Sequence, residues 1–263
     1  MLLDVKNLAI SYAANAKPTV EGVSFSLDAG EILTIVGESG SGKTSVIRAI
    51  LGCLSGGGQV SSGEVSFDGR DLLSLSAGQW LEIRGRDMAM IFQDSGNMLN
   101  PVRTIGSQFV EYLQLHGQLG KKGAEERAVS LLARMNLSEP ARVMASHPFE
   151  LSGGMRQRVG IAMALAFSPK LLLADEPTSA LDVTTQAQIV EELLQVVREA
   201  GSAMIIVTHN MGVASYMADK LMVMSGGRPV EYGKTAEVIA KPGAAYTRAL
   251  LEAVPEIGGR RYV

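Results

Sequence analysis

The chain has 263 residues, 46% of them hydrophobic and 19% charged, and a formal net charge of −3 with a pI near 5.7. That length buries a sizeable core, in one large domain or in one domain with an inserted lobe, and the acidic balance lacks the basic field that nucleic acid or anionic lipid would need. The single cysteine, Cys53, excludes an internal disulfide and an iron–sulfur cluster ligated by this chain alone, and helix packing is its expected role.

No apolar run reaches the roughly 18 residues of a membrane span. The start, Met1-Leu-Leu-Asp-Val5, lacks the basic flank and long apolar core of a signal peptide. The expectation is a soluble, cytoplasmic chain that reaches a membrane only through a protein partner.

In chain order, Leu3 to Ile10 and Gly22 to Leu27 alternate like strands, with Asp28-Ala-Gly30 as a turn. Glu31 to Val36 is a short apolar run suited to a buried parallel strand. Thr44 to Leu54 reads as a helix, Gly56-Gly-Gly58 as a break, and Gly63 to Phe67 with Asp68-Gly69 as a hairpin. Met88 to Phe92 is another buried strand. The segment Asp94 to Thr104, with Gly96, Asn100 and Pro101, reads as an exposed, shaped loop that would meet a membrane partner, with Leu99 either on that surface or anchoring the lobe.

Thr104 to Leu115 and Gly123 to Met135 carry helical periodicity, within an inserted helical lobe placed at about 97–158. Helix and strand then alternate: Met155 to Phe167, Leu171 to Ala174, Thr184 to Ala200, Ala203 to Thr208 and Met211 to Met217. Lys220 to Met224 and Arg228 to Tyr232 close a domain spanning 1–235, and 236–263 is a tail. The alternation predicts an α/β fold with a parallel sheet covered by helices.

Gly37-Glu38-Ser39-Gly40-Ser41-Gly42-Lys43-Thr44 is a complete phosphate loop, continued by Ser45. In such a loop the glycines let backbone N–H groups face the phosphates, the lysine reaches the β/γ oxygens, and the closing hydroxyl binds Mg2+. It follows a predicted strand and opens a predicted helix, the context the motif requires. Leu171 to Ala174 ends in Asp175-Glu176, and an acidic residue at the carboxyl end of a parallel strand is suited to hold Mg2+ through water. Glu176, next in line, is the candidate general base for the attacking water.

Together with Leu151-Ser152-Gly153-Gly154-Met155, these residues resemble the ATP-binding cassette family over nearly the whole chain. The resemblance implies a P-loop NTPase core with a parallel sheet, an antiparallel β subdomain and an inserted helical subdomain. ATP and Mg2+ are the implied ligands, with Thr44, Gln93 and Asp175 around the metal. It also implies that Ser152, Gly153 and Gly154 act on the γ-phosphate of a second subunit. Ser152 is a good helix N-cap, and a helix start favours an anion. Met155 stands where the family usually has Gln.

Gln93 matches the glutamine that senses Mg2+ and couples to the transporter. His209 matches the histidine that contacts the γ-phosphate, although Asn210 replaces the usual Asp and is expected to loosen the local hydrogen bonding. Asp182, in Ser179-Ala-Leu-Asp182, matches a loop that meets the partner subunit, and Tyr12 is the candidate to stack on adenine.

A free-standing single cassette is most similar to a bacterial importer subunit. Too few residues separate Gln93 from Leu151 for the coiled coil of chromosome-maintenance relatives. Asn100-Pro-Val and the tail Ala245-Tyr-Thr-Arg-Ala-Leu-Leu-Glu-Ala-Val-Pro255 resemble the peptide/nickel importer subgroup, although the tail also reads as a docked amphipathic helix.

The implied partners are a second, related cassette ATPase, two permeases and an extracytoplasmic solute-binding protein, at the cytoplasmic face of the cell membrane and without nucleic acid. The implied solute is nickel or di- and oligopeptides: the absence of a cysteine-bearing extension favours the shorter, nickel-type ATPases and leaves a peptide importer open. The alternative is an accessory protein of a non-transport complex such as the carbon–phosphorus lyase system.

Overall fold

A computed structural model describes residues 1–12, 17–93, 95–179, 181–253, 256–257 and 260–261. Asp94, Ala180, Val254 and Pro255, used above, lie outside the described residues. The chain divides into two compact units, residues 1–82 with 201–263, and residues 83–200.

The first unit begins with β1 (Leu3–Tyr12), β2 (Val20–Leu27), β3 (Ile32–Gly37), α1 (Lys43–Ile50), β4 (Gly58–Phe67), β5 (Arg70–Asp71) and α2 (Ala77–Ile83). The second contains β6 (Met88–Ile91), α3 (Ser95–Met98), α4 (Ile105–His116), α5 (Lys121–Arg134), α6 (Pro140–Ala145), α7 (Gly153–Ala164), β7 (Leu171–Asp175) and α8 (Val183–Ala200). The chain returns to the first with β8 (Ala203–Thr208), α9 (Met211–Met217), β9 (Lys220–Ser225), β10 (Arg228–Lys234), α10 (Thr235–Ala240) and α11 (Ala245–Glu252).

Every residue of β3 is buried, and parallel partners flank it on both sides, Ile35 pairing with Val207 of β8 and Met222 of β9. Continuous apolarity is what a parallel strand covered on both faces requires. β10 adds an antiparallel edge on β9 with alternating burial. A separate antiparallel sheet runs β2-β1-β4-β5, Val5 lying opposite Phe25 on one side and Val65 on the other.

Helix α1 stops at Ile50, four residues before the expected Leu54. Gly52 is left-handed at φ 65°, and the Cys53 and Gly52 N–H groups donate to the Arg48 and Ala49 carbonyls at 2.9 and 3.0 Å. That is a Schellman ending, which only glycine makes cheaply. Cys53 therefore lies beyond the last residue of α1 and is half-buried.

In the second unit β6 runs parallel to β7, Met90 opposite Leu173, and α4, α5 and α6 pack on one another. Thr104 caps α4 by accepting the Ser107 N–H at 3.3 Å, and Phe109, Leu113, Ala128 and Leu132 form buried positions. Helix α6, absent from the sequence reading, opens on Pro140, whose missing N–H is harmless in a first turn.

The segment after Gln93 is an exposed loop only in part. Residues Ser95–Met98 are helical and Leu99 is 7% exposed, which fits the anchoring role, while Asn100, Pro101 and Val102 are exposed. A Cβ on Gly160 of α7 would lie 2.5 Å from the Ser95 side chain, so α3 and α7 are in close contact. The exposed apolar residues of this segment are Met98 and Val102, at 59% and 80%. Among the described residues no helix is long and apolar enough to cross a membrane.

Candidate active site

In the first unit the phosphate loop links buried β3 to α1. Gly37 has no room for a side chain, since a Cβ there would lie 2.1 Å from the Met224 carbonyl oxygen. Gly42 caps α1 in the left-handed region at φ 93° and offers no side-chain acceptor, and the start of a helix is where backbone N–H groups can receive an anion. Lys43 is only 5% exposed. A buried ammonium needs partners, and its Nζ donates to the Gly37 and Glu38 carbonyls at 2.8 and 2.7 Å. Ser41 is buried, Thr44 and Ser45 are half-buried, and Glu38, Ser39 and Gly40 are exposed.

Tyr12 closes β1, its hydroxyl 2.9 Å from Ser45 Oγ and its ring against Gly58, where a Cβ would lie 2.6 Å from it. Val36 pairs in parallel with Thr208, so the phosphate loop and exposed His209 leave the same carboxyl end of this sheet. Asn210 does not loosen this corner. Its Oδ1 accepts the Gly212 and Val213 N–H groups at 2.8 and 3.3 Å and caps α9, which an amide oxygen does as well as a carboxylate.

In the second unit Ile91 pairs with Ala174, so Gln93 and Asp175-Glu176 leave a common carboxyl end. Gln93 Nε2 lies 3.5 Å from Glu176 Oε2, positioned to donate. Asp175 is buried. Glu176 has φ 44°, a left-handed backbone that costs a non-glycine residue about 1–2 kcal/mol, and strain of this kind gathers at functional sites. Gln93 and Asp175 in this unit, like Thr44 in the first, each carry a side-chain oxygen, the donor type a hard cation such as Mg2+ prefers.

Ser152 caps α7, its Oγ accepting the Met155 N–H at 3.3 Å. Gly153 meets nothing closer than Leu181 Cδ2 at 3.7 Å, so packing alone does not demand a glycine there. The approach to the cap is fixed by Glu150, which accepts the His147 N–H at 2.6 Å. That N–H, and then the His147 ring, hold the Glu150 carboxyl below its ordinary value. Asp182 accepts the Thr185 N–H at 2.9 Å and its hydroxyl at 2.7 Å. These two bonds, in that order, lower its carboxyl from the usual range against a smaller push from burial.

Gln157 was not singled out by sequence. It is buried in α7, and its side chain accepts the Ser95 N–H at 3.4 Å and donates to the Phe92 carbonyl at 3.5 Å. It ties the capped helix to the segment carrying Gln93. The one available signal was a polar residue on a buried helix face.

The family model described as ABC transporter matches residues 20–179. A probable peptide ABC transporter ATP-binding protein of Sinorhizobium fredii is 44% identical over 97% of this chain and 77% of its own length. The oligopeptide transport ATP-binding protein OppD of Haemophilus influenzae is 44% identical over 98% and 80%. Among solved structures, the dimeric, post-hydrolysis ATP-binding cassette MJ0796 with ADP and Pi has a TM-score of 0.78 at 30% identity, covering 89% of this chain and 99% of that one. CbiO1 of Clostridium perfringens, part of the cbiONQ complex, has a TM-score of 0.77 at 27% identity, with 91% of each chain covered.

Proposed function

Because the chain belongs to the ABC transporter family of ATPases, we propose that it energises the uptake of short peptides through partner permeases, from the cytoplasmic face of the cell membrane. The observation that carries the ATPase chemistry is the buried Lys43 ammonium, held on the carbonyls of a loop that opens a helix. Peptide as the solute rests on the relatives described above, whose names speak of peptide and oligopeptide transport. They do not speak of nickel, so peptide is the solute adopted.

In the proposed reaction the loop from Gly37 to Ser45 binds the triphosphate of ATP, and Tyr12 stacks on its adenine. Lys43 reaches the β/γ oxygens as a point charge. Thr44, Gln93 and, through water, Asp175 would hold Mg2+, which when bound neutralises charge on the phosphate oxygens. Glu176 takes a proton from the attacking water, with Gln93 orienting its carboxylate and His209 contacting the γ-phosphate. Ser152, Gly153 and Gly154 present α7 to the ATP of a second, related cassette, and Asp182 lies on the loop facing that subunit. Two permeases and an extracytoplasmic solute-binding protein complete the importer.

The test is reconstitution in vesicles with permeases and a solute-binding protein of a peptide importer from the same genome. ATP-dependent accumulation of labelled di- or oligopeptides is the expected result. Accumulation of Ni2+ without peptides would overturn the solute class, and absence of ATP hydrolysis by the full assembly would overturn the chemistry.

A further inference from the structure

The C-terminal helix α11 is anchored at three places. Leu251 is buried, and Tyr246 and Leu250 pack with it against Val36, Leu221 and Val223. Before the helix, the Glu231 carboxylate accepts the Gly243 and Ala244 N–H groups at 2.7 and 3.1 Å. Arg248 closes the same turn by donating to the Pro242 and Gly243 carbonyls at 3.0 and 2.9 Å. The helix therefore holds its side chains in fixed places.

One of those side chains reaches the phosphate loop. The Glu38 N–H donates to the Tyr246 hydroxyl at 3.0 Å, across 208 positions of sequence. The Glu38 carboxylate is held separately, accepting from Ser225 Oγ at 3.3 Å. The residue so fixed is the one whose carbonyl, with that of Gly37, receives the Lys43 ammonium. Parallel pairing of β3 ends at Gly37 opposite Met224, so Glu38 is the first peptide of the loop without a strand partner there. An exposed loop peptide of this kind is ordinarily left to water.

We propose that Tyr246 is a positioning residue for the phosphate loop: its hydroxyl fixes the Glu38 peptide and, through the Gly37 and Glu38 carbonyls, the place of the Lys43 ammonium. The C-terminal segment is then part of the nucleotide site and not only a docked helix. This rests on the phosphate-loop assignment of Lys43, and the experiment separates the two.

Tyr246→Phe keeps the ring and its packing and removes only the hydroxyl. The expected result is an unchanged melting temperature and ATP binding weakened about threefold to tenfold, the worth of one neutral hydrogen bond. Lys43→Ala is measured alongside, together with the double variant. In the Lys43→Ala background the Tyr246→Phe effect should disappear, because the group being positioned is gone. Unchanged ATP affinity in Tyr246→Phe, or an equal loss with and without Lys43, overturns the proposal. Unchanged affinity in Lys43→Ala overturns the phosphate-loop assignment instead.

Discussion

Helices α1 and α7 both start beside glycine, and they start in opposite surroundings. At α1 the cap, Gly42, contributes no side-chain acceptor, while Ser41 and Lys43 around it are buried. The positive charge that an anion would meet is already in place and hydrogen-bonded. At α7 the cap uses its own hydroxyl on the Met155 N–H, and Ser152 and Gly153 face solvent. The α1 start thus carries its own buried cation, hydrogen-bonded to carbonyls of the loop before it. The α7 start has the dipole and the open backbone of an anion site on an outward surface, which suits a phosphate carried by another subunit.

Three substitutions break or sharpen that contrast. The largest effect is expected from Glu176→Gln, which keeps size and shape but cannot take a proton. Turnover of the assembled complex should fall about a hundredfold or more while ATP still binds. Single-turnover hydrolysis measures it, and near-normal rates would remove Glu176 as the base.

Lys43→Ala acts on the α1 start, so its effect should be visible in the isolated chain. Removing charge-assisted bonds to the β/γ oxygens should weaken ATP binding about tenfold to a hundredfold, read by nucleotide titration. Gly153→Ala acts on the open one. Nothing crowds that position, so melting temperature and ATP affinity of the isolated chain should not change. Hydrolysis by the assembled pair should fall about tenfold if, as proposed, the partner's phosphate approaches the helix start where the methyl group would stand. A Gly153→Ala pair that hydrolyses ATP normally would leave α7 as a capped helix and nothing more.

Linear motifs made much of this legible in sequence. Gly37 to Thr44 and Asp175-Glu176 each sit at the end of an apolar strand, where local pattern and function coincide. What was missed is tertiary. No local signal connects Glu38 with Tyr246, because the hydrogen bond depends on where α11 is pinned by Glu231 and Leu251. Leu99 reads as a loop residue beside Asn100-Pro101, and its burial is not visible in the local sequence. Two misreadings were avoidable. Gly52 carries the stop signal for α1, and Asn210, between a strand and a helix, carries a cap signal.

The smallest expected effect separates the two duties of Ser152. Its hydroxyl satisfies one of the orphan N–H groups of α7, and losing such a cap costs about 1 kcal/mol. Ser152→Ala should lower stability to denaturant by that amount, with the slope of the unfolding transition unchanged. Asn also caps well, so Ser152→Asn should recover the stability. It places a larger side chain on the exposed face of the helix start, so hydrolysis by the assembled pair should stay impaired. Recovery of both stability and hydrolysis in Ser152→Asn would mean that capping is the whole task of Ser152. Recovery of stability alone would assign the outward face of α7 to the second subunit's nucleotide.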